Sequence, residues 1–280
     1  MMQESRSSLT PDLVKSIKEL LVSTRDIQTI KTQLNLTDCQ VPEVEDLLYE
    51  AIAEEKKKFG NNFRKMSVCF LLDGTGSMKS FIDMAKKVIT NLMDEVNKKI
   101  KTYEVSFGIV VYRDFDMGQK SIEVLNFTKE QEEIKNFLNG IICTGGEDAP
   151  EDIFGGFQKM LELDWKVNGI NVLFHIADCP CHGKGFHDLK DSFSEAQSES
   201  DWKKLFVKSK REFHMNYYFF EINKKATAKM CKKFQQIWDG IEVPKKLIKS
   251  IFRVQEISQD IPNFFTVLMN SIIQSVNATY

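Results

Sequence analysis

The chain has 280 residues, of which 38 are basic and 40 acidic, so its net charge of -2 gives no reason to expect a nucleic acid or an anionic membrane surface as a partner. Hydrophobic residues make up 42% of the sequence and include 21 Phe, which is enough for a large packed core. No apolar run approaches the ~20 residues that a membrane-spanning helix needs, so we expect no membrane insertion.

The first 62 residues predict a helical extension. Thr10 followed by Pro11 is typical of a helix start, because a hydroxyl caps the first N–H groups and proline fits the first helical position. A second amphipathic stretch, 44–58, ends in the charged sequence EEKKKFGNN, which we interpret as a linker. The predicted domain organisation is therefore a helical extension over 1–62 and a main domain over 63–280.

The N-terminus lacks an apolar run followed by a small-residue cleavage site, as a secretory signal would have. The six cysteines are scattered along the chain and would stay reduced inside a cell. Together these features predict a cytoplasmic location. The sequence leaves the oligomeric state open.

From residue 66 onward, apolar strands alternate with amphipathic helices, which indicates a mostly parallel sheet covered on both faces. The predicted strands are 66–72, 104–112, 121–126, 171–177, 214–222 and about 250–255, and the predicted helices are 79–99, 129–138, 151–163, 200–210, 224–237 and 261–276. Too few residues separate the second and third strands for a crossover helix, so that pair should be antiparallel. The predicted fold class is α/β, doubly wound and Rossmann-like, with one antiparallel edge strand.

A carboxylate and two hydroxyls follow the first predicted strand. The segment FLLDGTGSMKS places Asp73, Thr75 and Ser77 between the strand and the next helix. Hard cations such as Mg²⁺ prefer oxygen ligands of these kinds, but three of them do not complete an octahedral shell. Alone, the segment is as typical of a turn or a helix cap as of a metal site.

Two further segments supply more oxygens. The sequence CTGGEDAPED contains Thr144, Asp148 and Glu151 in a glycine-containing loop before a helix, and NVLFHIAD ends another apolar strand with Asp178. In open α/β sheets, ligands bind beyond the carboxyl ends of the strands, where these segments should meet. The three segments together predict a cation site there.

The same three segments resemble the metal-ion-dependent adhesion site of von Willebrand factor A domains. The resemblance spans roughly 64–278 and is greatest to the A domains attached to alpha-type protein kinases; the DAPE sequence is also similar to the equivalent loop of integrin beta subunits. The family usually has Ser as its first hydroxyl, where this chain has Thr75. Threonine keeps the oxygen, so we expect metal binding to survive.

The resemblance implies a metal site and a mode of action. Asp73, Thr75, Ser77 and Asp178 would hold Mg²⁺ or Mn²⁺, and the second segment would add Thr144, Asp148 or Glu151, with the choice left open. A protein partner would complete the ion's coordination with an acidic side chain. The implied function is cation-dependent protein binding of the adhesion or scaffold type, without catalysis.

An enzymatic alternative rests on the same strand end. Asp73 followed by Thr75 and Gly76 is similar to the phosphorylated aspartate loop of P-type ATPases and related phosphatases, in which this aspartate is a nucleophile beside Mg²⁺. Gly74 stands where the ATPase loop has Lys, and Asp178 leads into CPCHG instead of a Gly-Asp-Gly metal loop. A further alternative is a regulatory A domain related to alpha-type kinases.

Three other patterns carry less weight. A nucleotide-binding P-loop fails, because the Walker pattern needs glycine at positions 73 and 78. The CPCH segment at 179–182 suggests zinc but lacks a matched second ligand pair, so turn chemistry is the preferred interpretation. We interpret Arg113, Asp114 and Asp116 as an exposed hairpin tip, with support of the metal site as the alternative.

Overall fold

The computed structural model describes residues 9–23, 27–37, 40–41, 43–44, 47, 64–100, 103–146, 148–166, 169–243, 250–257 and 260–277. The chain divides into two units, Met1–Asn62 with Val243–Leu247 and Phe63–Glu242 with Ile248–Tyr280, and each is described by itself.

The helices of the first unit with fully described bounds are α1 (Pro11–Ser23) and α2 (Ile27–Leu34). The hydroxyl of Thr10 accepts a hydrogen bond from the Leu13 N–H at 3.3 Å, which confirms the predicted helix start. Most of the predicted stretch 44–58 and the linker after it lie outside the described residues. The predicted boundary between 62 and 63 also lies outside them and stays a prediction.

The second unit is built on a six-stranded sheet, and all six predicted strands are confirmed. The strands are β1 (Arg64–Asp73), β2 (Tyr103–Tyr112), β3 (Ile122–Thr128), β4 (Ile170–Ala177), β5 (Asn216–Glu221) and β6 (Phe252–Glu256), in the spatial order β3-β2-β1-β4-β5-β6. The β2–β3 pair is antiparallel, as predicted, and the other neighbouring pairs are parallel.

Helices cover the sheet at the predicted places. They are α3 (Lys79–Lys99), α4 (Gln131–Gly140), α5 (Ile153–Leu161), α6 (Glu199–Val207), α7 (Lys224–Asp239) and α8 (Ile261–Asn277), and a π-helical turn, Lys208–Glu212, extends α6. Among the residues that the structure describes, no helix combines the length and apolar character needed to cross a bilayer.

The sheet is buried on both faces because alternate side chains of its strands belong to two apolar layers. On β1, Val68 and Phe70 pack in the layer that includes α3 and α8, whereas Cys69 and Leu71 pack in the layer of α5, α6 and α7. A strand that is apolar at every position is typical of a central strand covered by helices, which is the position of β1.

The chain order reverses between β1 and β4. From β1 the chain continues to β2 on one side of the sheet and later returns to β4 on the other side. At such a reversal the connections leave in opposite directions and open a crevice beyond the strand ends. Asp73 ends β1 and Asp178 directly follows β4, so two predicted ligands border that crevice.

Candidate metal centre

The first predicted segment folds back on its own aspartate. The buried Asp73 accepts hydrogen bonds through Oδ1 from the Thr75 backbone N–H (2.9 Å) and the Thr75 hydroxyl (2.6 Å). The hydroxyl oxygens of Thr75 and Ser77 are 3.4 Å apart. The Thr75 hydroxyl does not cap the short 3-10 turn Gly76–Met78 that follows it. The structure therefore brings the three predicted oxygens together, and capping does not explain Thr75.

Close backbone contacts place the second segment beside the first. A Cβ atom at Gly74 would lie 2.5 Å from Val111 Cγ1, so only glycine allows this loop to pass so close to β2. The Gly74 carbonyl accepts a hydrogen bond from the Thr144 N–H at 3.1 Å. Gly146 has φ +86°, and a Cβ there would lie 2.9 Å from Glu151 Oε1 and 3.7 Å from Thr75 Cβ. The glycine loop thus fills the space between Thr75 and Glu151.

The second-segment candidates separate in the structure. Glu151 is buried, and its backbone N–H donates to the Pro180 carbonyl at 2.9 Å, which joins the second segment to the third. Asp148 instead accepts a hydrogen bond from the Ser192 N–H at 2.8 Å. The side chain of Thr144 is exposed. The candidate whose carboxylate lies beside the first segment is Glu151.

Four carboxylates of the three predicted segments each keep a buried oxygen without a hydrogen-bond partner among the described residues. The oxygens are Asp73 Oδ2, Asp148 Oδ1, Glu151 Oε2 and Asp178 Oδ1. Burial and then the charge of Asp178 raise the pKa of Asp73 to about 7. Burial raises the pKa of Glu151 to about 10, with the charges of Asp73, Asp114 and Asp178 adding to the effect. Buried like charges of this kind need a cation or a proton.

The donor set fits a hard divalent cation. Carboxylate and hydroxyl oxygens are the ligands that Mg²⁺ and Mn²⁺ prefer, and a dication would offset the repulsion among these carboxylates. It would also lower the pKa values that burial raises, because it favours the ionised form of each ligand. The residues that could hold the ion are Asp73, Thr75, Ser77, Glu151 and Asp178.

A buried histidine of the CPCH segment lies next to this crevice, with partners that the sequence did not predict. His182 approaches Asp114 through Nε2 and Asp191 through Nδ1, each at 2.7 Å. Ionised carboxylates only accept hydrogen bonds, so two such partners favour protonation of both ring nitrogens. Burial lowers the pKa of His182, but the hydrogen bonds to Asp114 and Asp191 raise it above its usual value.

This histidine also bears on two alternative metal arrangements. Ligand atoms of Asp114, Asp148 and His182 lie within 4.8 Å of one another, but both nitrogens of His182 already face carboxylates. The buried Cys181 lies in the apolar layer of α6 and α7, and its backbone N–H points to the sulfur of Met230. Because the side chains of the CPCH segment diverge, the structure favours turn chemistry there over zinc.

The interpretation of 113–116 as an exposed hairpin tip is wrong for its first two residues. Arg113 is 2% exposed and Asp114 is 1% exposed. Arg113 donates to the Ile142 carbonyl from Nε (3.2 Å) and Nη2 (2.8 Å), and it pairs with Glu123 at 2.6 Å. It therefore ties the start of the second segment to β3. Sequence spacing could not show this, because its partners are distant in the chain.

A family profile and a sequence relative agree on one protein family. A sequence profile described as von Willebrand factor A domain matches residues 67–213. The alpha-protein kinase vwkA of Dictyostelium discoideum is 31% identical over 207 residues, which cover 74% of this chain and 33% of that kinase. This chain thus spans about a third of the length of that relative.

Solved structures show the same fold at low sequence identity. Two crystal structures of the pilus adhesin SpaC from Lactobacillus rhamnosus GG, one of them in an open conformation, match with a TM-score of 0.51 each. Their identities are 11% and 10%, and the matches cover 78% of this chain and 30% and 31% of the adhesin chains.

Proposed function

The chain belongs to the von Willebrand factor A domain family, and from this premise we propose that it is a divalent-cation-dependent protein-binding module. The ion is Mg²⁺ or Mn²⁺, and an acidic side chain of a partner protein completes its coordination. The module carries out no chemistry of its own and binds neither nucleic acid nor the membrane interior.

The observation that carries this proposal is the set of buried carboxylate oxygens without partners among the described residues, of which those of Asp73, Glu151 and Asp178 border the strand-end crevice. Buried polar atoms are normally paired, and leaving a charged one unpaired costs several kcal/mol. Three such atoms at one strand-end crevice are what a cation site requires. Single unpartnered polar atoms also occur elsewhere among the described residues, for example at Ser67 and Asn171, but there they are neutral groups and do not gather carboxylates.

We assign the ligands segment by segment. Asp73, Thr75 and Ser77 come from the first segment and Asp178 from the third. In the second segment, Glu151 is favoured by its position beside Thr75, while Thr144 and Asp148 stay as alternatives. One oxygen of Asp148 accepts from the Ser192 N–H, while its other oxygen, Oδ1, is buried without a partner among the described residues and stays available to a cation.

The family and the relatives support an interaction module. The matched kinase is about three times as long as the region it shares with this chain, so kinase activity is a property of that relative. A regulatory or scaffold role, as in an A domain that accompanies a kinase, is compatible with the same cation site. A cytoplasmic location stays a prediction, supported by the free state of the five described cysteines.

The test compares melting curves recorded with about 5 mM MgCl₂ or MnCl₂ and with EDTA. A cation that binds only the folded protein raises its melting temperature when the cation concentration exceeds the Kd, so this concentration suits a site of about micromolar to millimolar affinity. Wild type should melt higher with the cation, and Asp73→Ala and Asp178→Ala should lose this difference. Asp83→Ala, which removes a largely exposed aspartate of α3, is the matched control and should keep it. Identical wild-type curves with and without the cation would refute the proposal.

The enzymatic alternative has a separate test. If Asp73 were a nucleophile, it would form an aspartyl phosphate or bind beryllium fluoride in its place. We expect neither adduct by intact-protein mass spectrometry or ¹⁹F NMR. Detection of either on Asp73, and its loss in Asp73→Ala, would replace the binding-module proposal with a phosphotransfer reaction.

A further inference from the structure

A buried cation lies against the loop of the first metal segment. A Cβ atom at Gly74 would lie 3.3 Å from both Cζ and Nε of Arg113, so the guanidinium packs on the backbone between Asp73 and Thr75. The Arg113 side chain is only 2% exposed, although a charged group loses much hydration free energy when it is buried. The hydrogen-bond partners of Arg113 explain why a permanent charge is buried at this place.

Ile142 directly precedes the second metal segment and is positioned by its backbone. Its side chain is 71% exposed, so packing contributes little to its position. Its carbonyl accepts hydrogen bonds from Nε (3.2 Å) and Nη2 (2.8 Å) of Arg113. Two residues later, the Thr144 N–H donates to the Gly74 carbonyl at 3.1 Å. The entry to the second segment therefore depends on hydrogen bonds and not on burial of the Ile142 side chain.

The guanidinium is also fixed to the sheet. Nη2 of Arg113 pairs with Glu123 of β3 at 2.6 Å, and the Glu123 side chain is 40% exposed. A guanidinium is planar and carries its donors in a fixed fork, whereas a lysine ammonium is a single nitrogen on a flexible stem. Arg113 therefore holds Ile142 at a set distance from β3, which a lysine cannot reproduce.

Arg113 thus contacts both segments that would bind the ion. It packs on Gly74, which lies between two proposed ligands of the first segment, and it bonds to Ile142 at the entry to the segment that carries Glu151. The separation of the two segments decides whether their oxygens reach one ion together. Mg²⁺ requires near-octahedral ligands at about 2.0–2.1 Å, whereas Ca²⁺ accepts longer distances of about 2.3–2.6 Å in a flexible geometry.

We infer that Arg113 is a positioning residue of the candidate metal centre, which holds the second segment at the separation from the first that suits a small cation. This inference rests on the proposed function and adds to it a residue that does not touch the ion. Without the guanidinium, the Ile142 carbonyl loses both donors, and the second segment gains freedom to move away from Asp73. The centre should then bind Mg²⁺ more weakly and discriminate less between Mg²⁺ and the larger Ca²⁺.

A purely electrostatic role for Arg113 makes a different prediction for its partner on β3. A guanidinium repels a dication, and the Glu123 carboxylate at 2.6 Å offsets that charge. If charge were decisive, Glu123→Gln would weaken metal binding, because a neutral amide no longer offsets the guanidinium. If distance is decisive, Glu123→Gln should keep the affinity and selectivity of wild type, since the amide oxygen still accepts from Arg113.

The experiment measures free Mn²⁺ by electron paramagnetic resonance while the full chain is titrated, with Mg²⁺ and Ca²⁺ as competitors. Outer-shell partners commonly contribute about 10–100-fold to metal affinity, so Arg113→Lys should weaken binding of Mn²⁺ and Mg²⁺ by at least about tenfold. Binding of Ca²⁺ should weaken less, so the ratio of the Ca²⁺ Kd to the Mg²⁺ Kd should fall by at least about threefold.

Lys210→Arg is the matched control. Lys210 is also a buried cation that donates to two backbone carbonyls, those of Trp238 (2.7 Å) and Ile241 (3.0 Å). Its neighbour Ser209 accepts from the Met215 N–H directly before β5, which places Lys210 at the amino ends of the parallel strands, opposite the metal centre. Both exchanges should lower the melting temperature recorded with EDTA, but Lys210→Arg should leave metal affinity within about threefold of wild type and the Kd ratio unchanged.

A second pair of variants keeps the inference testable if Arg113→Lys does not fold. Glu123→Ala leaves Arg113 in place and removes its anchor on β3, and the partial exposure of Glu123 suits a substitution. Glu123→Ala should lower the Kd ratio, whereas Glu123→Gln should keep it. Equal ratios in these two variants would overturn the inference.

The outcomes separate this inference from the proposed function. If wild type binds no Mn²⁺, the proposed function fails first. If wild type binds Mn²⁺ but a folded Arg113→Lys protein keeps its affinity and Kd ratio, or if Lys210→Arg loses them equally, Arg113 does not position the metal centre and the proposed function still stands. Equal weakening of Mg²⁺ and Ca²⁺ binding by Arg113→Lys, or loss of affinity in Glu123→Gln, would also overturn a role based on distance.

Discussion

Two buried polar clusters lie within one β-sheet domain and differ in how they are satisfied. Beneath the strand ends, Tyr112, His175 and Tyr217 form a chain of hydrogen bonds of 3.0 and 2.8 Å. Burial lowers the pKa of His175 to about 3, so the ring is neutral, and its one N–H and one bare nitrogen suit two hydroxyls. In this closed cluster, here called the neutral chain, both ring nitrogens and both hydroxyls have hydrogen-bond partners.

The carboxylates at the strand ends form a second cluster, here called the open cluster, whose hydrogen bonding is incomplete among the described residues. Asp73, Glu151 and Asp178 keep unpartnered oxygens among the described residues, and burial raises the pKa values of the first two. The difference teaches that a polar residue in a core is explained by packing when its hydrogen bonds are complete and by a ligand when they are not.

The largest effect should come from removing one charge of the open cluster. Asp73→Asn keeps the oxygen that accepts from Thr75 and removes the negative charge. Loss of an outer-shell partner alone commonly costs 10–100-fold in metal affinity, so loss of a ligand charge should weaken Mn²⁺ binding by at least about a hundredfold. Isothermal titration calorimetry measures this change.

The same substitution should stabilise the metal-free protein. With EDTA present, buried carboxylates repel one another, and Asp73→Asn relieves part of that repulsion. We expect its melting temperature with EDTA to exceed that of wild type by at least about 2 °C. A decrease similar to that of an ordinary core substitution would indicate that Asp73 serves packing instead of a cation.

The second effect is a pH dependence of metal binding. The pKa of Asp73 is raised to about 7 in the metal-free fold, so protons compete with the cation below that pH. Affinity for Mn²⁺ should therefore rise as pH rises, by roughly 25-fold between pH 5.5 and 7.5 from this one proton.

The stability of the metal-free protein should change in the opposite direction. A raised folded-state pKa favours folding while Asp73 is protonated, and this contribution is lost as pH rises through about 7. Melting temperatures with EDTA over the same pH range measure it. Metal affinity that does not vary with pH would contradict the buried, charge-coupled state of this aspartate.

The third effect tests the closed cluster. Tyr217→Phe leaves a ring nitrogen of His175 without its partner, which should cost about 1–3 kcal/mol of the free energy of unfolding. For a domain of this size, that lowers the melting temperature by about 2–4 °C per kcal/mol. Affinity for Mn²⁺ should stay within about threefold of wild type, since Tyr217 is not a ligand.

A control for this variant removes a buried hydroxyl that lies outside the neutral chain. Tyr218→Phe removes another buried hydroxyl, one that bonds to Ser271 and Ser275 of α8 on the opposite face of the sheet. Both variants should destabilise the fold without weakening metal binding. Strong loss of metal affinity in Tyr217→Phe alone would mean that the neutral chain is coupled to the metal centre.

The smallest effect should be local. Asp191→Asn replaces an acceptor of hydrogen bonds from His182, Gly183 and Phe193 by an amide whose NH₂ group cannot accept. Amide hydrogen exchange should accelerate in the loop 182–193, with a change in global melting temperature of less than about 3 °C. Unchanged exchange would show that this network does not hold the loop.

Periodicity and turn chemistry predict most of the fold. Continuous apolar runs such as FLLD and NVLFHIA identify central strands, and the short connection after Tyr112 identifies the antiparallel pair. These signals are local, because side-chain burial on a covered sheet imposes a pattern within one strand. For the same reason Asp73 and Asp178, at the ends of two such strands, could be placed on one edge from the sequence.

The second segment could not be resolved in this way. Its candidates Thr144, Asp148 and Glu151 follow one another in a loop without a repeating pattern. Which side chain turns towards Asp73 depends on the φ of Gly146 and on the bond between the Glu151 N–H and the Pro180 carbonyl. Likewise, the burial of Arg113 depends on the Ile142 carbonyl, far away in the chain.

The sequence by itself determined where the strands lie, which acidic residues follow them and which family the chain resembles, because each of these features is encoded in a short stretch of residues. The tertiary structure alone decided which acids share a crevice, that His182 lies between Asp114 and Asp191, and that Phe193 is exposed beside them. The physical reason is that electrostatic and hydrogen-bonding partners are chosen by distance in space, and loop backbones set that distance without leaving a periodic trace in the sequence.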